Sequence, residues 1–167
     1  MTRRLILTRH AKSSWDDPAL PDHERVLDAR GRAAATRLGQ WLAGAGHIPD
    51  AALVSSAART RETWARIAAE LPRSAPETVA PALFHAEPLT MLRVLEQAEG
   101  ACVILVGHNP GIAACAAQLL AAPPDHADFG RYPTGATLVA DFDIEDWYAL
   151  RPGSGAVAAF RVPRDLD

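Results

Sequence analysis

Cysteine is scarce in this sequence, and the two present, Cys102 and Cys115, both lie among apolar neighbours. Cys102 falls within an apolar run and Cys115 within an Ala-rich helical pattern, so we expect two buried thiols. Two such cysteines form no disulfide framework and offer no candidate nucleophile. This usage fits a reducing compartment.

Long hydrophobic runs are missing as well. No stretch approaches the ~20 apolar residues that a membrane-spanning helix needs. The apolar part of residues 1–8 is shorter than the core of a secretory signal peptide. We therefore expect a cytoplasmic protein without a membrane partner.

An excess of positive charge is the third feature that the sequence lacks. The net charge is -3 and the isoelectric point is about 6.1, which gives no general attraction to nucleic acid. Any anionic ligand must therefore be held by a local cluster of cations. The histidines and cysteines show no metal-binding spacing such as H-E-x-x-H or C-x-x-C, so we expect neither a metal site nor a cofactor.

What the sequence does contain is an alternation of strand-like and helical patterns over a chain that is 49% apolar. We expect one domain over residues 1–167. Strand-like runs are predicted at 5–7, 51–54, 101–106, 136–142 and 157–162. Helical spacing is predicted at 28–45, 59–71, 88–97 and 112–120. The alternation predicts a three-layer α/β/α sandwich with a mostly parallel central sheet. The continuous apolar run at 101–106, rich in β-branched residues, is predicted as a central strand.

Three of the predicted strands end in polar clusters that contain Arg9 with His10, Arg59, and His108. Because ligands of open α/β sheets bind at the carboxyl ends of strands, we expect these side chains to converge. Two guanidinium and two imidazole groups suit a tetrahedral dianion, and phosphate is the natural ligand. Neighbouring cations lower the pKa of His10 and keep it neutral, which makes it a candidate nucleophile. Its second ring nitrogen then needs an acceptor such as a backbone carbonyl.

The motifs around these residues read RHAK at 9–12, SSAARTRET at 55–63 and GHNPG at 107–111. In order and spacing they resemble the phosphoglycerate mutase-like histidine phosphatase superfamily. The short length without lid insertions resembles its SixA-type phosphohistidine phosphatases more than its mutases. The resemblance implies that His10 accepts the phosphoryl group, that Arg9 and Arg59 bind phosphate, and that His108 contacts the phosphoryl oxygens.

Two positions depart from the superfamily pattern. Ala11 stands where much of the superfamily has Gly, although the SixA-like branch resembles this sequence in accepting Ala. The second departure is the general acid, for which Glu87, Asp16 and Asp17 are candidates without a firm motif. A phosphohistidine substrate eases this requirement, because an imidazole protonated on its remote nitrogen is already a good leaving group.

Further residues near the motifs are weaker candidates for contact with substrate. Trp15 follows His10 on a loop rich in Asp and Pro and is predicted either to flank the site or to pack within the loop. His85 is expected at the surface, and Thr134 lies in a segment without an assigned role. The candidate substrate-binding residues are Lys12, Ser13, Trp15 and Glu87.

These observations predict a metal-independent phosphatase that works through a phosphohistidine intermediate on His10. Its expected partner is a phosphorylated protein, with phosphohistidine as the substrate group, or a small phosphorylated metabolite. One alternative is a small-molecule phosphoester phosphatase or mutase of the same superfamily. Another is a non-catalytic module that binds phosphorylated ligands. The intact His10 argues against this alternative, because a module that only binds needs no nucleophile.

Overall fold

A central sheet of six strands organises the computed structural model, which describes residues 1–167. The strands are β1 (Thr2–Arg9), β2 (Ala51–Ser55), β3 (Glu77–Ala80), β4 (Cys102–Gly107), β5 (Thr137–Asp143) and β6 (Ala156–Arg161). Their order in the sheet is β3-β2-β4-β1-β5-β6. Strands β1 to β4 are parallel, β5 is antiparallel to β1, and β6 is antiparallel to β5. The predicted mostly parallel α/β sheet is confirmed.

Four helices cover the two faces of this sheet and complete three layers: α1 (Ala29–Gly44), α2 (Ala58–Ala68), α3 (Pro88–Leu95) and α4 (Gly111–Leu119). Alternation along β1 shows how both faces are buried. Leu5 and Leu7 belong to the core shared with α3 and α4, whereas Ile6 belongs to the core shared with α1 and α2. Burial on both faces explains the continuous apolar runs of the central strands. None of the helices is both long and apolar enough to cross a membrane.

Strand β3 was not predicted, because it lies in a proline-marked segment and has no apolar run. It is a four-residue edge strand whose residues are mostly exposed, and it pairs with β2 through Val79 and Val54. An edge strand needs no continuous apolar sequence, so hydrophobic periodicity gives no signal there. Helices α2 and α3 also end two or three residues earlier than predicted.

The two cysteines differ in burial. Cys115 is buried as expected, whereas Cys102 is half-buried at the start of β4. Burial raises the pKa of each thiol to about 12. Both thiols are therefore protonated at neutral pH, in keeping with a packing role.

Candidate active site

The carboxyl ends of β1, β2 and β4 bring together the four residues predicted to act on phosphate. Arg9 ends β1 and pairs in register with Gly107 at the end of β4. The residues that follow, His10 and His108, therefore face each other with ring centroids 5.4 Å apart. They share a cavity of about 540 Å³, which is lined by Arg9, His10, Lys12, Ser13, Trp15, Asp22, Arg25, Arg59, His85, His108, Asn109 and Thr134.

His10 is buried and held in one tautomer. Its Nδ1 lies 2.7 Å from the backbone carbonyl oxygen of Ala11. A carbonyl only accepts hydrogen bonds, so Nδ1 carries the proton and the lone pair is on Nε2. Burial, together with the charges of Arg59, Arg9 and Arg25, lowers the pKa of His10 to about 3 and outweighs the hydrogen bond to Ala11. The imidazole is therefore neutral at physiological pH.

Ala11 fits its position without strain on the site. Its backbone N–H donates to Thr63 Oγ1 at 3.0 Å, and that hydroxyl donates to the carbonyl of Arg59 at 2.7 Å. The methyl group of Ala11 is 1% exposed and packs in a small cluster with Leu27 and Ala35. A methyl group in place of the superfamily's glycine thus contributes packing to the loop that carries His10.

The start of α1 supports the same loop at close range. The backbone N–H of Asp28 donates to the carbonyl of Lys12 at 3.0 Å, and the Asp28 carboxylate accepts from the N–H of Gly31 at 2.7 Å. A Cβ atom at Gly31 would lie 2.0 Å from the carbonyl oxygen of Lys12. Only glycine allows α1 to approach the active-site loop so closely.

We predict that Gly31→Ala destabilises the protein by about 1–3 kcal/mol and lowers activity, because the loop at Lys12 must move. Gly44→Ala is the matched control, since nothing lies within 4 Å of a Cβ there; in the last turn of α1 it should be neutral or slightly stabilising. Urea unfolding and turnover of a generic phosphate substrate measure both effects. Equal stabilities for the two variants would contradict this account of the loop.

Arg59 is 2% exposed and is positioned by Asp22. One terminal guanidinium nitrogen lies 2.8 Å from the Asp22 carbonyl oxygen and the other 3.2 Å from its carboxylate. Burial of Asp22 opposes its ionisation, but hydrogen bonds from His85 and Arg25 and the charge of Arg59 lower its pKa to about 2. Asp22 is therefore an anion at neutral pH that orients the cations around it.

Arg9 and Arg25 add two more guanidinium groups to the cavity. Arg9 donates to the carbonyl of Tyr132 at 3.2 Å, and burial and the charge of Arg59 lower its pKa. Arg25 donates to Ser13 Oγ and, at 3.1 Å, to Asp22. No motif marks Arg25 or Asp22 in the sequence, because both lie on a charged loop that looks like an ordinary solvated turn.

Trp15 lies at the rim of the cavity. It is 74% exposed, and the guanidinium of Arg25 sits 3.7 Å from the centroid of its ring. Of the two predicted positions for Trp15, at the site or packed within the loop, the structure shows the first. The cation–π contact fixes one face of the indole and leaves the rest accessible.

His108 is 1% exposed and is held by Ser55. Its Nε2 lies 2.7 Å from Ser55 Oγ, and its Nδ1 has no hydrogen-bonding partner in the protein. Burial, followed by the effects of His10, Arg59 and His85, lowers the pKa of His108 to about 3. His108 is therefore a neutral ring at the cavity, fixed in orientation by the hydrogen bond between its Nε2 and Ser55 Oγ.

The three carboxyl groups predicted as general acids do not line the cavity. Asp16 and Asp17 face a separate cavity. Glu87 was also a candidate for contact with substrate, but it is exposed at the N-terminus of α3 and does not line the cavity. The reason is local: Pro88 begins α3, and the carbonyl of Ala86 packs so closely on Gly111 that a Cβ there would lie 1.8 Å away. This contact carries the chain towards α4 and leaves Glu87 beyond the cavity.

His85, expected simply at the surface, contributes to the cavity as well. Its side chain is 51% exposed, and its Nε2 lies 3.1 Å from the Asp22 carboxylate. Its ring centroid is 5.1 Å from that of His108. The backbone of His85 is left-handed, with φ of 51°, a conformation that is uncommon outside glycine and often found at functional sites.

The two buried neutral histidines predict how stability depends on pH. His10 and His108 have pKa values of about 3 in the folded protein, against 6.5 in the unfolded chain. Between these values the unfolded chain binds more protons. The contribution of the two neutral histidines to the free energy of unfolding is therefore fully present above pH 6.5. It is lost as the pH falls towards 3, by about 1.4 kcal/mol per pH unit for each histidine. Urea unfolding at about pH 7.5 and about pH 4.5 measures this slope. The double variant His10→Asn/His108→Gln should flatten it, and an unchanged slope would contradict the assignment.

The site and fold together define a class: an α/β protein with a cationic phosphate pocket around a neutral histidine. Comparison with known proteins supports the same class. The model of the histidine phosphatase superfamily (branch 1) matches residues 5–83. An uncharacterised protein of Mycobacterium tuberculosis is 31% identical over 163 residues, which cover 93% of this chain and 99% of that protein. A chloroplast protein of Arabidopsis thaliana, also uncharacterised, is 48% identical over 71 residues, 42% of this chain and 33% of that protein.

Solved structures agree with the family match. A protein from Nakamurella multipartitia described as the phosphohistidine phosphatase SixA superposes with a TM-score of 0.82 at 29% identity, covering 98% of this chain and 97% of that one. A protein from Agrobacterium tumefaciens with the same description gives a TM-score of 0.79 at 27% identity, covering 96% of this chain and 98% of that one. Phosphoglycerate mutase from Plasmodium falciparum shares the fold, with a TM-score of 0.66 at 18% identity, over 96% of this chain and 91% of that one.

The chain therefore belongs to the histidine phosphatase superfamily. It is a phosphatase with the phosphoglycerate mutase-like fold, and its solved structural relatives include SixA proteins.

Proposed function

We propose that this protein removes phosphoryl groups from phosphohistidine in proteins, without a metal ion, through a phosphorylated His10. One observation carries this proposal. The bond from His10 Nδ1 to the Ala11 carbonyl leaves the Nε2 lone pair free in a cavity that also contains three guanidinium groups. A neutral nucleophile beside fixed positive charge suits attack on a phosphoryl dianion.

In the first step, His10 Nε2 attacks phosphorus in line with the leaving nitrogen of the substrate. A P–N bond forms to His10 while the P–N bond of the substrate breaks, and the electron pair of that bond goes to the departing imidazole. Arg9, Arg59 and His108 hold the three equatorial oxygens, whose charge spreads in the transition state.

In the second step, water attacks the phosphorus of phospho-His10. The bond to Nε2 breaks, the electron pair returns to the ring, and inorganic phosphate leaves with the proton balance completed by solvent. The Nδ1–H bond to Ala11 fixes the ring throughout, so the same nitrogen serves both steps.

The carboxylate in the cavity supports a phosphoramidate substrate. Asp22 has a pKa of about 2 and is bound by Arg59, Arg25 and His85, so at neutral pH it has no proton to give to a leaving oxygen. Phosphoester hydrolysis benefits strongly from such a proton. An imidazole protonated on its remote nitrogen departs as a neutral molecule and needs none.

Kinetics on matched substrates test the proposal. Purified protein in excess chelator should hydrolyse a phosphohistidine peptide with a higher kcat/KM than a panel of phosphorylated metabolites and a phosphoserine peptide. A phosphoester preferred over phosphohistidine would instead identify a small-molecule phosphatase or mutase. Loss of activity on chelation that returns with added metal would overturn the metal-independent mechanism.

A further inference from the structure

A second cavity, of about 480 Å³, adjoins the active site. Lys12 and Thr134 line both cavities, so the two are neighbours on the surface. We call this second one the basic cavity. It is lined by Lys12, Arg30, Ala34, Arg37, Asp128, Arg131, Pro133, Thr134, Val162, Pro163, Arg164 and Asp167.

The charge of the basic cavity is opposite to that of the whole chain. Five cationic side chains face two carboxylates, an excess of three positive charges, in a protein of net charge -3. Arg164 and Arg131 both pair with Asp128, at 2.7 Å and 3.7 Å, and Arg37 pairs with Asp167 at 3.2 Å. Lys12 and Arg30 form no ion pair, so these cations are available to an external anion.

The fold concentrates these cations on one side of the active site. Arg30, Ala34 and Arg37 recur at intervals of four and three residues along α1, so they share one helix face. The short 3₁₀ turn Pro163–Leu166 packs against α1 and adds Arg164. Lys12 follows His10 by two residues and connects this face to the catalytic cavity.

The exposure of these cations favours a protein over a small ligand. The side chains of Arg131 and Arg164 are 79% and 77% exposed, whereas pockets for small ligands enclose most of the bound molecule. Trp15, also exposed, stands at the rim of the catalytic cavity. Accessible charges and an exposed aromatic are features of a surface that recognises another protein.

We propose that the basic cavity binds Asp and Glu side chains that flank the phosphohistidine of the substrate protein. The inference rests on the proposed function, since it places the phosphohistidine at His10. Guanidinium groups match carboxylates in geometry. Because these contacts are exposed, they raise the rate at which enzyme and substrate protein associate, and therefore kcat/KM. This effect weakens as the salt concentration rises.

The test uses one phosphohistidine peptide flanked by Asp and Glu, the same peptide with Asn and Gln, and phosphoramidate, which reaches only the catalytic cavity. Wild-type protein should prefer the acidic peptide at low ionic strength and lose the preference at about 0.5 M salt. Arg30→Glu/Arg131→Glu should lower kcat/KM for the acidic peptide about tenfold and leave phosphoramidate unchanged. Arg30→Gln/Arg131→Gln should show a smaller loss in the same direction.

Arg93→Glu is the matched control, because Arg93 is an exposed arginine on α3 with no ion pair and lies outside both cavities. It should leave every substrate unaffected. Equal wild-type rates on the two peptides would overturn the proposal, as would equal losses on all substrates in the Arg30 and Arg131 variants. So would a charge effect confined to a small bisphosphorylated metabolite, which would assign the cavity to a second phosphate group.

Binding of the unphosphorylated acidic peptide separates this proposal from the proposed function. A titration should show tighter binding to wild-type protein than to Arg30→Glu/Arg131→Glu even if no phosphohistidine is hydrolysed. Peptide hydrolysis without any charge preference would keep the proposed function and reject the basic cavity as its docking site.

Discussion

Replacing His10 with Asn should lower kcat by about 10⁴-fold or more on every substrate while the fold and phosphate binding are retained. The Asn amide N–H can replace the Nδ1–H that donates to the Ala11 carbonyl, but Asn has no atom equivalent to the nucleophilic Nε2. Arg9, Arg59 and His108 remain to hold an anion. Steady-state kinetics measure the loss, and a vanadate or phosphate titration measures the retained binding.

Parallel measurements on His10→Ala show whether the lost activity depends on the hydrogen bond to Ala11. Both variants should be inactive, and His10→Asn should be the more stable in urea. Substantial turnover by either variant would mean that His10 is not the nucleophile. Loss of anion binding in both would mean that the substitution damages the pocket itself.

Replacing Arg59 with Ala should lower kcat by about 10²–10³-fold, because a buried guanidinium that stabilises the transition-state charge is removed. Arg59→Lys should recover only part of the rate, since an ammonium keeps the charge but lacks the planar fork. Arg59 also binds Asp22, so its loss leaves that carboxylate with Arg25 and His85 alone. Kinetics at saturating substrate separate the effect on kcat from weaker binding.

Arg61→Ala supplies the comparison within the same helix. Arg61 lies two residues further along α2, is exposed, and does not line the cavity. It should retain nearly full activity. Similar losses at both positions would show that general positive charge, rather than the placement of Arg59, supports the reaction.

The parts of the site nearest the sheet could be predicted from the sequence because strand ends are predictable. Apolar runs predict β1 and β4, and the carboxyl ends of parallel strands lie at one edge of the sheet, so Arg9, His10 and His108 are expected at the same edge. That β1 and β4 are direct neighbours is known only from the structure. The register of Arg9 opposite Gly107 confirms their proximity. The backbone acceptor required for His10 is the carbonyl of Ala11.

Residues on loops could not be predicted in this way. Asp22, Arg25 and His85 enter the cavity through irregular segments, whose conformation depends on tertiary contacts that leave no periodic signal. The same reason applies to Glu87, a candidate general acid without a firm motif: His85 lines the cavity and Glu87 does not, and only the packing of Ala86 on Gly111 shows why. The basic cavity combines α1 with two distant segments and is visible only in the folded chain.

Capture of the phosphorylated enzyme tests the central claim most directly. Wild-type protein mixed rapidly with a phosphohistidine peptide is quenched in alkali, which preserves phosphoramidates, and the phosphorylated residue is located by mass spectrometry. We predict transient phosphorylation of His10 that forms and decays at rates consistent with turnover, and none in His10→Asn. A phosphoryl group on another residue, or rapid turnover in which His10 is never phosphorylated, would contradict the account.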